Sequence, residues 1–159
     1  MQKTFLAFVL SAALLVAGTG AQAEVLRGKV VGVSDGDTVT LLGPGLTEHK
    51  IRLAHIDAPE KGQPFGSASK NSLSSLVFGK EIKAGCPETD RYGRKICVLL
   101  LPDGTNVNLE QVRRGMAWHY ERYSRDTAYA QAQAHARQQG AGLWAERSPT
   151  PPWEWRRQR

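Results

Sequence analysis

The sequence predicts an α+β fold that is mainly β: a closed barrel of five short strands carrying three helices. Two observations predict it. Short alternating, β-branched runs are separated by Gly, Asp and Pro turns, and three stretches of helical spacing interrupt them.

Residues 25–33 alternate and are rich in β-branched side chains, a strand that ends in the turn Ser34-Asp35-Gly36. Residues 38–42 form a second strand and Gly43-Pro44-Gly45 a turn. Residues 48–54 form a third strand with Ile51 and Leu53 on one face. Short connections make these three an antiparallel meander. Residues 67–78 carry Leu73, Leu76 and Val77 at helical spacing, and Gly79 ends that helix. Residues 81–84 and 95–101 are two further strands on either side of the Tyr92-Gly93-Arg94 turn, and Pro102-Asp103-Gly104 is another turn. Residues 107–114 read as a short helix, capped by Asn106 or Asn108 and closed by Gly115. Residues 127–139 are a third helix, ended by Gly140. Helices after the third and fifth strands match the barrel of the oligonucleotide/oligosaccharide-binding type.

The chain divides into three parts: 1–23, 24–146 and 147–159. The first reads as an export signal: Lys3 is a positive start, residues 5–17 are apolar, and Ala21-Gln22-Ala23 is a small-residue cleavage site before Glu24. The apolar run is shorter than the roughly 20 residues of a spanning helix, and no later stretch replaces it. A soluble periplasmic or secreted protein is expected. Removing 23 of the 159 residues leaves 136, enough for one domain with a real core. Lys3 is the only charge removed, so the net charge of +6 becomes +5. Such a balance suits polyanionic partners, whether nucleic acid, lipid head groups or cell-wall polymers. The two cysteines, Cys86 and Cys97, flank the Tyr92-Gly93-Arg94 turn. In an oxidising compartment such a pair is most simply one disulfide. A zinc site is disfavoured, since no other Cys or His lies near enough to complete a set. The third part, rich in Pro, Trp and Arg, has two open readings: it stacks on bases or it covers the domain.

Three carboxylates and two arginines carry the chemistry. Asp37 starts one strand, Asp57 lies just past the end of another, and antiparallel neighbours can bring them together. Two carboxylates, a backbone carbonyl and waters make the oxygen-only shell that calcium accepts. Taken alone, Asp35-Gly36-Asp37 is an ordinary turn and Asp57-Ala58-Pro59-Glu60 an ordinary strand exit; Arg52 between them changes the weight of the pair. Alternation points Arg52 away from Ile51 and Leu53. Arg52 and Arg94 can converge on one phosphate, where paired N–H donors match its oxygens. Glu60 can hold or deprotonate an attacking water. His49, His55, His119 and His135 lack metal-ligand spacing and read as structural or surface residues.

Asp35-Gly36-Asp37-Thr38-Val39, Ile51-Arg52-Leu53, Ile56-Asp57-Ala58-Pro59-Glu60 and Asp90-Arg91-Tyr92-Gly93-Arg94 occur in one order, followed by Asn108 to Ala117 and Gly142-Leu143-Trp144. In this they resemble the staphylococcal (micrococcal) nuclease family of thermonucleases. The resemblance implies an OB-fold barrel of five strands with three helices. It also implies calcium-dependent, sequence-nonspecific hydrolysis of DNA and RNA to 3′-phosphate ends by a monomer. Matched position by position, Asp37, Asp57 and the Ala58 carbonyl take the place of the Ca2+ ligands. Arg52 and Arg94 take that of the phosphate pair, and Glu60 that of the general base. Arg91 and Tyr92 fall where the family has a basic residue and a tyrosine near the nucleotide's terminal phosphate, and Tyr120 or Tyr123 where a tyrosine stacks against the base. The chain departs in Ala58, where the best-known member has Thr, in a shorter loop over residues 61–66, and in the cysteine pair. The rival reading is a non-catalytic OB-fold module that binds nucleic acid. Degenerate copies of the fold lose the acidic and arginine residues, and this chain keeps all five.

Overall fold

A computed structural model describes residues 23–158 of the chain; the expected export signal at 1–23 therefore lies, but for Ala23, outside the described residues. The strands are β1 (Glu24–Val33), β2 (Thr38–Leu42), β3 (Glu48–Leu53), β4 (Ile56–Asp57), β5 (Glu81–Thr89), β6 (Lys95–Leu100) and β7 (Trp118–His119). The helices are α1 (Gly66–Val77), α2 (Val107–Arg113), α3 (Thr127–Gln138) and a short α4 (Pro152–Trp155). Five strands close a barrel in the order β1-β2-β3-β6-β5, with β5 returning to pair with β1. All neighbours are antiparallel except β3 and β6, which run parallel because α1 and β5 intervene.

Strand alternation fills the interior. Val30, Val39, Leu41, Ile51, Leu53, Ile82, Ala84 and Leu99 are all buried, and Leu73, Leu76 and Val77 of α1 join the same core. The three apolar residues predicted for that helix are therefore the ones it buries. Asn106 caps α2 by accepting the Leu109 N–H at 3.0 Å. Asn108, the other candidate cap, is instead fully buried. Its carboxamide accepts from Leu99 N–H at 3.1 Å and donates to Ala54 O and Cys97 O at 3.0 and 2.9 Å, tying α2 to the barrel end.

Three features depart from the sequence reading. β5 runs five residues beyond the predicted stop at Ala84, to Thr89, because a register shift between Gly85 and Glu88 absorbs Pro87. β4 and β7 form a separate two-stranded sheet, with Asp57 opposite Trp118. Asp57 thus sits in a strand rather than past one. The tail adds α4 as a fourth helix to the three expected, and it covers the domain. Pro152 is buried and the Trp153 ring stacks on Tyr120, 5.4 Å apart and 6° from parallel. Gln63 donates to Thr150 O at 2.7 Å. Cys86 and Cys97 form a disulfide that joins β5 to β6 below the Tyr92 turn. Among the described residues, no helix is long and apolar enough to cross a membrane.

Candidate active site

The site begins at the turn between β1 and β2. Asp35 accepts the Asp37 N–H at 3.0 Å, a local Asx turn that orients the chain into β2. A side chain on Gly36 would collide with the Ser69 hydroxyl, so only glycine lets this turn pack on α1. Gln111 of α2 holds the Gly36 carbonyl at 2.9 Å. The Asp37 side chain is 8% exposed. It accepts the Ala58 N–H at 2.7 Å and the Thr38 hydroxyl at 3.1 Å.

β3 presents Arg52 to this carboxylate. Thr38 pairs with Arg52 across the β2–β3 ladder, and Leu53 N–H donates to Asp37 O at 2.8 Å. His55, at φ 69°, then reverses the chain, so β4 returns alongside the Arg52 side chain. The guanidinium donates to Leu53 O and Ile56 O, both at 3.0 Å, and to Asp57 Oδ1 at 2.9 Å. It also pairs with Asp37 Oδ2 at 3.0 Å. One nearly buried arginine therefore sits between two buried carboxylates, where the sequence reading brought Asp37 and Asp57 together and gave Arg52 to a phosphate.

Asp35, Asp37, Asp57 and Glu60 outnumber the two guanidiniums that reach this cluster, Arg52 and Arg156, and leave it short of positive charge. Burial pushes Asp37 up to about 7; Asp35 and Asp57 add to the rise, while Arg52 and the Ala58 N–H oppose it. The donors are hard oxygens, and a divalent cation would relieve the excess charge, so the residues present fit calcium. Among the described residues no group of three or more His, Cys, Asp or Glu is arranged as a metal cage. The expected set needs only two side-chain carboxylates, with the Ala58 carbonyl and water completing the shell.

Glu60 leaves this centre at the loop that follows β4. Its N–H donates to Gln63 Oε1 at 2.9 Å, and its carboxylate accepts from Arg156 at 2.6 Å. Arg156 also grips Asp57, with Nη2 to Oδ2 at 2.7 Å and Nη1 to Oδ1 at 3.2 Å. Hydrogen bonding to Asp57 and Glu60 holds its guanidinium proton above the ordinary arginine range, against partial burial. The sequence reading missed Arg156. It lies in the tail, with no spacing or motif linking it to the acidic turns.

The remaining nominated residues form a second cluster. Arg94 is held by Asp90, with Nε to Oδ2 at 2.8 Å and Nη2 to Oδ2 at 2.7 Å, and its own N–H donates to Asp90 Oδ1 at 3.0 Å. Its guanidinium lies 5.5 Å from the Tyr92 ring centre, and Arg91 lies 4.9 Å from the same ring while donating to Tyr92 OH. The structure therefore holds Tyr92 and Arg94 on Asp90, with Arg91 on the Tyr92 ring, and does not pair Arg94 with Asp37 or Asp57 as it does Arg52. Local pairing within its own turn holds Arg94 on Asp90. Tyr123 is exposed and lies edge-on to Tyr120, 4.8 Å away, while the half-buried Tyr120 stacks on Trp153. Of the histidines, His119 is buried and His55 packs on Tyr129 at 4.9 Å. His49 is half-buried and His135 exposed, in keeping with structural or surface roles.

A family model described as staphylococcal nuclease homologue matches residues 50–146. A Haemophilus influenzae protein named as an uncharacterized endonuclease is 49% identical over 130 residues, covering 82% of this chain and 72% of the relative. An Escherichia coli O157:H7 protein of the same description is 45% identical, covering 82% and 85%. A Shigella flexneri micrococcal nuclease is 40% identical, covering 94% of this chain and 90% of its own. With the barrel and the paired carboxylates in place, these similarities make the chain a member of the staphylococcal nuclease family and an endonuclease.

Proposed function

We propose that this endonuclease is calcium-dependent and sequence-nonspecific, hydrolyses DNA and RNA to 3′-phosphate ends, and acts as a monomer in the periplasm or outside the cell after loss of residues 1–23. The observation that carries the metal reading is the Asp37–Arg52–Asp57 arrangement, two buried carboxylates sharing one guanidinium. Asp37, Asp57 and the Ala58 carbonyl hold the ion, which when bound polarises the phosphodiester and favours ionisation of water.

Glu60 takes the proton of the attacking water, whose oxygen bonds to phosphorus as the bond to the 5′-oxygen breaks. A proton delivered to that oxygen balances the one taken, so one water is added per bond broken. Arg52 keeps Nε–H and one Nη2 hydrogen beyond its four protein acceptors. These meet the phosphate where its charge grows, and their leverage is greatest in the transition state. Arg94 joins by exchanging Asp90 for a phosphate oxygen. Arg91 and Tyr92 meet a neighbouring phosphate, and Tyr123 offers its exposed ring to a base.

Digestion of DNA and of RNA with calcium, and again with chelator, tests the reading, with the product ends analysed. Cleavage only with calcium and 3′-phosphate ends are expected. Equal cleavage under both conditions, or 5′-phosphate ends, would refute it.

A further inference from the structure

The tail reaches the same oxygens that the metal reading needs. Arg156 lays a fork of two N–H groups on Asp57, at 2.7 and 3.2 Å, and extends one of them to Glu60 at 2.6 Å. Arg52 occupies Oδ1 of Asp57, so Oδ2 is the oxygen left for a cation, and that is the one Arg156 holds at 2.7 Å. A hard cation binds carboxylate oxygens at about 2.3–2.6 Å. A cation there and a guanidinium nitrogen on the same oxygen would set two positive centres almost in contact. The two occupancies exclude one another.

The rest of the tail is built to hold that arginine in place. Trp153 and Arg156 are three residues apart, hence on one face of the α4 turn. Trp153 stacks on Tyr120 and meets Trp118 edge-on at 5.6 Å. Trp118 is the residue that pairs with Asp57 between β7 and β4, so the aromatic seat adjoins the carboxylate it serves. Gln63 closes the strap: its carboxamide donates to Thr150 O at 2.7 Å and accepts the Glu60 N–H at 2.9 Å. One side chain thus joins the tail to the loop that carries Glu60.

We propose that residues 150–157 form an autoinhibitory strap in which Arg156 imitates the cation on Asp57 and Glu60 and must be displaced before a divalent metal ion binds. This rests on the metal reading given above. The side chain of Arg156 is 42% exposed, so solvent weakens its hold. Such pairs restrain by amounts that correspond to an about 3- to 30-fold weakening of the apparent calcium affinity. Because the strap is tethered, its competition does not depend on protein concentration.

Calorimetric calcium titration of the full chain, beside Arg156→Gln and Trp153→Ala, tests this without relying on turnover. Arg156→Gln is expected to bind calcium about 3- to 30-fold more tightly, and Trp153→Ala to shift the same way by less. In the unsubstituted protein, calcium should also change the tryptophan fluorescence as Trp153 leaves Tyr120, and Trp153→Ala should lose that change. Equal affinity in the unsubstituted and Arg156→Gln proteins overturns the strap and leaves the metal reading standing. Weaker binding in Arg156→Gln also overturns it and makes Arg156 a supporting residue. No calcium binding in any of the three refutes the metal reading and the strap with it.

Discussion

The two arginines that the sequence nominates for one phosphate stand in opposite surroundings. Arg52 lies on a barrel strand, with its side chain 13% exposed, and holds two carbonyls and two buried carboxylates. Arg94 lies on a turn, 32% exposed, and holds one neighbouring aspartate four residues away. The first is part of the architecture: it bridges Asp37 and Asp57 beside the Ala58 N–H that Asp37 accepts. The second is held by the residues of its own turn and can change partner without disturbing the core. Of the two nominated arginines, one is therefore a structural keystone and the other an arm held only by its own turn.

Substitution separates the two most sharply. Arg52→Ala leaves buried Asp37 without its counter-charge and Asp57 with Arg156 alone, and such losses typically cost about 3–5 kcal/mol. It should also abolish measurable cleavage, and urea unfolding beside a digestion assay reads both effects. Arg94→Ala should lower the cleavage rate by about 10²–10³-fold, while stability changes by no more than about 1 kcal/mol. Equal stability losses in the two variants would remove the distinction between keystone and arm.

The disulfide sharpens the comparison from the side of the arm, since Cys86 and Cys97 clamp the base of the Arg94 hairpin. Reduction, or the paired change of both cysteines to Ala, should cost about 2–3 kcal/mol. The Arg52 centre should survive that change, so residual calcium binding in the double variant is expected to equal that of the parent.

The smallest effect is a pH dependence beneath the keystone. Burial lowers His55 from its usual 6.5, helped by His119 and opposed by Asp126. With the folded value depressed, the unfolded chain takes up the proton first as pH falls. His55 therefore contributes its full stability above about 6.5 and loses it as pH drops through that value toward the folded one. Asp37, raised to about 7, pulls the urea midpoint the other way over this range, so the His55 share is read as the decline of the parent relative to a His55 variant as pH falls below about 6.5. His55→Asn, which tolerates the left-handed backbone there, supplies that comparison.

Much of this was legible in the chain. Alternation in residues 48–54 pointed Arg52 away from Ile51 and Leu53, because a strand offers side chains only two directions. Asn106, Gly115 and Gly140 marked helix ends through caps that are local by nature. β4 and β7 were not legible, since two-residue strands carry no period and exist only by pairing with each other. The length of β5 was hidden by Gly85 and Pro87, which read as breakers until a bulge accommodates them. Asn108 offered a cap by its type and instead satisfies barrel carbonyls that only the closed fold exposes.

Strand pattern, turn chemistry and the identity of the carboxylates and arginines are local properties, written in neighbouring residues and therefore readable in order. Which arginine faces which acid is a matter of partners distant in sequence. Asp57 is held by Arg156 from 99 residues away, while Arg94 is retained by Asp90 in its own turn. No local spacing encodes such a choice, because it follows from where the closed barrel and the returning tail leave each charge.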